Sequence, residues 1–175
     1  MSSSADHDRE QRPMREWLVA GGVLIDANGD VLLVENRRRS GETDWSTPGG
    51  VIDEGEQLIE GLTREVAEET GIAVASWSGP LYRIEVTAPG FGFHLRVEAH
   101  LAVDYSGLLA VDDPDGIVIG AEFMRVDVAR QRLGSAPQWV AEPLLDHLEH
   151  GFADGRHYGY RLDGTTAADR LVVRL

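Results

Sequence analysis

At 175 residues, with 42% hydrophobic and 26% charged positions, the chain suits one domain with a single sizeable core, and no run approaches the ~18 apolar residues of a membrane span. It holds no cysteine and no lysine, which excludes disulfides, thiolate catalysis and thiolate metal sites and makes all 16 basic residues arginine. A formal net charge of −14 argues against non-specific binding to nucleic-acid polymers, and a small anionic substrate would need divalent cations to enter a carboxylate-lined pocket.

Residues 1–13 are polar and charged, end in Pro13, and read as a disordered leader. Without an apolar h-region this stretch is not a secretory signal, so the expected location is cytoplasmic. Residues 17–25 and 31–34 are apolar on both faces, as buried strands are, and Asn28-Gly29 between them is a hairpin signal. Arg37, Arg38 and Arg39 then begin a polar loop that runs to Trp45.

Residues 50–72 read GVIDEGEQLIEGLTREVAEETGI, a glycine turn followed by one helix with Gly71 placed to end it. On a wheel of about 100° per residue, Leu58, Ile59, Leu62 and Val66 form an apolar arc whose edge includes Glu69. Glu65 flanks that edge and Glu68 lies further out, so three carboxylates crowd one side. Half-buried like charges are costly unless a cation sits between them, and an all-oxygen set suits Mg²⁺ or Mn²⁺. Gly61, in mid-helix, costs about 1 kcal/mol against alanine and predicts a close backbone approach.

A helix carrying RExxEE alone is most simply a solvated face. Here the whole stretch fits G-x5-E-x7-R-E-U-x-E-E-x-G-U, with U aliphatic, at Gly50, Glu56, Arg64, Glu65, Val66, Glu68, Glu69, Gly71 and Ile72. Its seven fixed letters would coincide by chance in roughly one window in 10^8, which rules out the simple reading. The chain resembles a Nudix hydrolase, and Trp45 to Gly50 resembles the W-x-x-P-G-G approach to that family's box.

The resemblance implies an α/β fold, an α/β/α sandwich around a mixed β-sheet, and metal-dependent hydrolysis of a nucleoside diphosphate linked to another group. It implies that the Gly49 carbonyl, Glu65 and Glu69 ligate Mg²⁺ or Mn²⁺, that Glu68 is a ligand or the water-activating base, and that Arg64 orients Glu65. Glu56 would brace the loop through Arg64. Arg37 and Arg39, standing before the box, are the candidate phosphate contacts.

Beyond the box, residues 73–77 and 81–86 read as strands, and 93–104 alternates well between apolar and polar positions. Its polar face, with Arg96 and Glu98, is either solvated or lines the substrate cleft, where Arg96 would meet phosphate and Glu98 would add an acid. Asp112 to Gly116 is an acidic turn; the resemblance makes Asp113 and Asp115 candidates for a further base or metal ligand. A last helix is expected over 143–149. The hairpin at 157–162 and 171–175 would either finish the sheet or pair with a partner chain, giving a homodimer.

The expected division is thus a leader over 1–13, a catalytic domain over 14–150 and a hairpin extension over 151–175. ADP-ribose or a nucleotide sugar is the first substrate expectation, a (d)NTP or dinucleoside polyphosphate the second. A non-hydrolysing nucleotide sensor on the same fold is the alternative, while an isomerase of this fold would need the cysteine the chain lacks.

Overall fold

The computed structural model describes residues 14–175, so the leader expected over 1–13 lies outside the described residues. The protein is an α/β layered fold with nine strands and three α-helices among the described residues. Six strands form a mixed sheet: β1 (Arg15–Val23), β4 (Gly49–Val51), β5 (Ala73–Ala88), β6 (Phe93–Ser106), β8 (Arg156–Asp163) and β9 (Leu171–Arg174), in the order β4-β1-β6-β5-β8-β9. The pairs β1/β6 and β5/β8 are parallel and the rest antiparallel. A smaller antiparallel sheet holds β3 (Thr43–Ser46), β2 (Val31–Arg37) and β7 (Val118–Met124), in the order β3-β2-β7.

The sheet is covered on both faces. Helix α1 (Leu58–Thr70) presses Leu62 and Val66 into a core with Ala20, Leu24, Leu32, Ile52 and Val74. On the other face, α2 (Val126–Arg132) and α3 (Gln138–His150) bring Ala129 and Leu144 to a larger core with Leu33, Tyr82, Ile84 and Val86. Ile59, assigned to the apolar arc of α1, is 39% exposed, so the helix buries a narrower face than the wheel suggests. Among the described residues no helix is long and apolar enough to cross a membrane.

Three details depart from the sequence expectations. Asn28-Gly29 does make a tight turn, with Asp26 accepting from the backbone N–H groups of Asn28 and Asp30. The flanking strands nevertheless meet only at an Ile25–Val31 bridge, because both edges of β1 are already taken by β4 and β6. The two strands expected over 73–86 are one long strand whose ladder slips between Ser78 and Tyr82, around Pro80, which has no N–H to give. Helix α3 begins five residues before Pro143, capped at Pro137, and carries Pro143 inside it.

The C-terminal hairpin finishes the sheet. β8 pairs with β5, and Tyr158, Tyr160 and Leu162 are buried in the same core as Tyr82 and Val86. Residues 156–174 thus add two strands to the main sheet and three side chains to its larger core.

Candidate functional site

The glycine turn and α1 are tied together by Arg64. Its guanidinium donates from Nε and Nη2 to the two Glu56 oxygens at 3.0 Å each, and from Nη1 to Glu65 Oε1 at 2.8 Å and Glu68 Oε2 at 3.3 Å. This bidentate bond to Arg64 holds the Glu56 carboxyl below the usual range, and the same partners raise the Arg64 pKa. Glu56 also accepts from the backbone N–H of Asp53 at 3.2 Å, so one carboxylate pins the turn to the helix.

Two glycines make room for these acids. A Cβ on Gly61 would stand 2.7 Å from Glu56 Oε2 and from Ile52 Cδ1, so side chains of the turn, and not another backbone, explain this glycine. A Cβ on Gly50 would stand 2.7 Å from Glu65 Cδ. Gly49 has φ +138° and lies so close to Ala20 that a Cβ would be 2.1 Å from that carbonyl oxygen. Its N–H donates to Glu69 Oε2 at 2.8 Å.

Glu69 is the most constrained of the acids. It is only 8% exposed, and its hydrogen-bond partner among the described residues is the Gly49 N–H. Burial pushes its pKa up to about 8; the Gly49 bond opposes the shift, while Glu65, Asp113 and Glu68 add to it. Glu65 is also raised, first by burial and against the pull of Arg64. The arrangement has too much negative charge for one arginine, and its donors are oxygens, which is the chemistry a hard divalent cation fits. Among the described residues no three acidic or imidazole groups already converge at ligand spacing, since Arg64 draws Glu65 and Glu68 to itself.

The acids stand at one end of a cleft of about 510 Å³. Asp53, Glu65, Glu69, Asp113 and Asp115 line that end. The floor is apolar, formed by Tyr82 and Ile84 of β5 and by Leu95, Val97 and Ala99 of β6, and Trp139 and Val140 of α3 form the far wall. Asp113 accepts from the N–H groups of Asp115, Ile117 and Val118, which fixes the acidic turn against β7. A larger depression, about 650 Å³, lies between α3 and the β8–β9 hairpin, away from the acids. Its arginines are already paired: Arg130 with Glu149, Arg156 with Asp146 and Arg174 with Glu142.

The placement of the expected residues is uneven. Gly49, Glu65, Glu69, Asp113 and Asp115 come together at the cleft, with Glu56, Arg64 and Glu68 beside them. Arg37 and Arg39 are not among the cleft-lining residues; Arg38 between them is, held by Asp44 through bonds of 2.6 and 2.7 Å. Arg37 is the last residue of β2, and Arg39 lies in the turn that follows it. Arg96 and Glu98 are likewise not among the cleft-lining residues, since the apolar face of β6 forms the cleft floor. Glu98 instead meets Arg83 and His100 on the reverse face.

Sequence reasoning missed Asn36, Trp139 and Val140. Asn36 is buried, donates to Ser46 Oγ at 3.0 Å and Asp44 Oδ1 at 3.3 Å, and borders the cleft. A polar residue ending an apolar strand was the available signal. Nothing local marks Trp139, which reaches the cleft only because α3 starts earlier than Pro143.

A family model described as "NUDIX domain" matches residues 16–146. The chain is similar to "Nucleoside diphosphate-linked moiety X motif 6" of Xenopus laevis, 48% identical over 54 residues that cover 31% of this chain and 24% of that protein. It is similar to "RNA pyrophosphohydrolase" of Caulobacter vibrioides, 42% identical over 52 residues that cover 30% of each. The shared segment thus spans less than a third of either curated relative. Among solved structures, the MutT NUDIX hydrolase from Burkholderia pseudomallei superposes with a TM-score of 0.61 at 26% identity, covering 74% of this chain and 98% of that one.

Proposed function

The chain belongs to the Nudix family, and on that premise we propose that it hydrolyses the pyrophosphate bond of a nucleoside diphosphate linked to another group, using Mg²⁺ or Mn²⁺. ADP-ribose and nucleotide sugars come first and (d)NTPs or dinucleoside polyphosphates second, because five carboxylates line the cleft against one arginine that Asp44 already neutralises. Each further phosphate would add charge that this lining cannot offset.

The observation that carries the reading is Glu69, a buried carboxyl with one N–H partner and three acidic neighbours. Such a group is kept at a stability cost that added positive charge removes. Glu65, Glu68, Glu69 and the Gly49 carbonyl are the proposed ligands, with Asp115 near Glu65 as a further acid. A bound divalent cation would neutralise the diphosphate and lower the pKa of the attacking water. Arg64 orients Glu65 and Glu68, Glu56 holds Arg64, and the apolar floor gives the rest of the ligand a surface away from the acids. Glu68, half-exposed and held at 3.3 Å by Arg64, is the proposed base or additional ligand.

A panel of nucleoside diphosphate derivatives incubated with Mg²⁺ or Mn²⁺, with the phosphorylated products identified, tests the proposal. The expected products are a nucleoside monophosphate and the phosphorylated second group. No turnover of any member would overturn it and favour a ligand sensor.

A further inference from the structure

The reverse of the cleft floor carries a row of charged side chains that no step of hydrolysis uses. Glu16 of β1, His94 of β6, Glu85 of β5 and His157 of β8 stand one on each of four neighbouring strands. His94 Nδ1 lies 2.8 Å from Glu16 Oε2, and its Nε2 lies 2.7 Å from Glu85 Oε1. The second Glu85 oxygen lies 3.3 Å from His157 Nε2. Acid and imidazole alternate across the sheet.

The chemistry of the central imidazole decides what this row does. An ionised carboxylate only accepts, and a neutral imidazole has one N–H and one bare nitrogen. Both contacts of His94 are hydrogen bonds only when the ring carries two protons; when it loses one, a lone pair faces a carboxylate at under 3 Å. We propose that Glu16, His94, Glu85 and His157 form a proton-operated clamp, closed when His94 is an imidazolium, that sets how firmly the strands of the cleft floor are held together.

The placement gives the clamp its consequence. Leu95 follows His94, Ile84 precedes Glu85 and Val19 lies three residues beyond Glu16, and all three line the cleft on the opposite face. The first three residues of β1 are exposed, so the Glu16 contact bears on a strand end that burial does not secure. Other charges near the clamp are Arg83, in register with His157 and bonded to Glu98 at 3.2 Å, Arg96, in register with Glu85, and Arg161, in register with the Thr87 that pairs with His94. Arg161 is bound to Asp163 at 2.8 Å.

Burial disfavours the charged ring, but the bonds to Glu16 and Glu85 and their attraction outweigh it, and the His94 pKa is raised. A histidine raised on folding stabilises fully below its ordinary value of about 6.5 and loses that contribution as pH rises through the folded value. The clamp therefore closes in acid and loosens as pH rises through the folded value of His94.

Nitrogen NMR of the full chain across a pH titration tests this directly. The expected result is a His94 midpoint above about 6.5, with both ring nitrogens protonated below it. Amide protection of residues 16–19 and 95, corrected for intrinsic exchange, should fall about two- to fivefold as the midpoint is passed. In a Glu16→Gln, Glu85→Gln double variant the midpoint returns to about 6.5 and the pH dependence of protection disappears. Should that variant not fold, Glu16→Gln alone removes one exposed partner and must lower the midpoint. A midpoint at or below about 6.5, or a bare ring nitrogen in the acid form, overturns the proposal. So does zinc moving the His94 and His157 signals together, since the row would then be a cation site.

Discussion

The two ends of the cleft are built in opposite ways. At the acid end, Gly49 to Glu69 supplies the turn, the brace and most of the carboxylates from one continuous stretch, joined by Asp113 and Asp115, and helical spacing brings Arg64, Glu65 and Glu68 side by side. At the far end, Tyr82, Leu95, Val97 and Trp139 meet only because two strands, β5 and β6, and helix α3 come together across the chain. A local device can be written into a helix. An apolar floor has to be assembled by strand register, so changes at the two ends should read out differently, in kcat at one and in KM at the other.

The largest effect belongs to Glu69. Glu69→Gln should lower metal-dependent turnover by about 10^3-fold with the fold intact, measured as kcat with a substrate found in the panel. The same variant should gain stability without metal. A carboxyl raised from 4.5 to about 8 binds more protons in the native state than in the unfolded one, so parent stability falls as pH rises between those values. At pH near 8, with a chelator present, Glu69→Gln should therefore be more stable than the parent by roughly 1–3 kcal/mol, and the difference should vanish near pH 4.5. Denaturant melts at both pH values check it; equal stability at both would mean that Glu69 is not strained.

Gly50→Ala comes next. Its added Cβ would stand 2.7 Å from Glu65 Cδ, and the carboxylate must give way. Displacement of a catalytic group by about 1 Å costs on the order of 10^2-fold, so kcat should fall by that factor with little change in thermal stability. A rise in KM alone would place Glu65 outside the reacting end.

At the far wall, Trp139→Ala should raise KM about tenfold and leave kcat within about twofold, because the loss is contact area with the bound ligand and not transition-state charge. Steady-state kinetics separates the two. An equal loss in kcat would put α3 in the chemistry and remove the distinction between the ends.

How much was legible follows the same division. The turn, the helix and the roles of Glu56 and Arg64 lie within one period-3.6 segment, where spacing alone sets neighbours. Gly61 was legible as an anomaly, but its cause, Glu56 and Ile52 folding back onto the helix, required the loop path. In β6 the alternation was read correctly, yet two faces of a strand are equivalent until packing assigns them, and here the cleft took Leu95, Val97 and Ala99. Of the three consecutive arginines, Arg38 lines the cleft from just beyond the end of β2, where no strand or helix period sets which side chain turns inward. Pro143 misled in the other direction, because a proline that favours a helix start is tolerated inside α3 once Leu144 and its neighbours are buried.

The smallest effect is the sharpest test of which face of β6 is the floor. Arg96 and Glu98 alternate with the cleft-lining residues and so project to the reverse side, where Glu98 is shared between Arg83 at 3.2 Å and His100 at 3.2 Å. Arg96→Ala and Glu98→Gln should each keep kcat/KM within about twofold, the range of surface changes away from a site. Arg38→Ala should do more, since it removes the one arginine lining the cleft and leaves Asp44, 13% exposed, without its bidentate partner. If Arg96→Ala instead cost tenfold or more while Arg38→Ala cost nothing, the ligand would have to lie on the polar face of β6. Leu95, Val97 and Ala99 would then be ordinary core, and the acid end alone would remain of the proposed cleft.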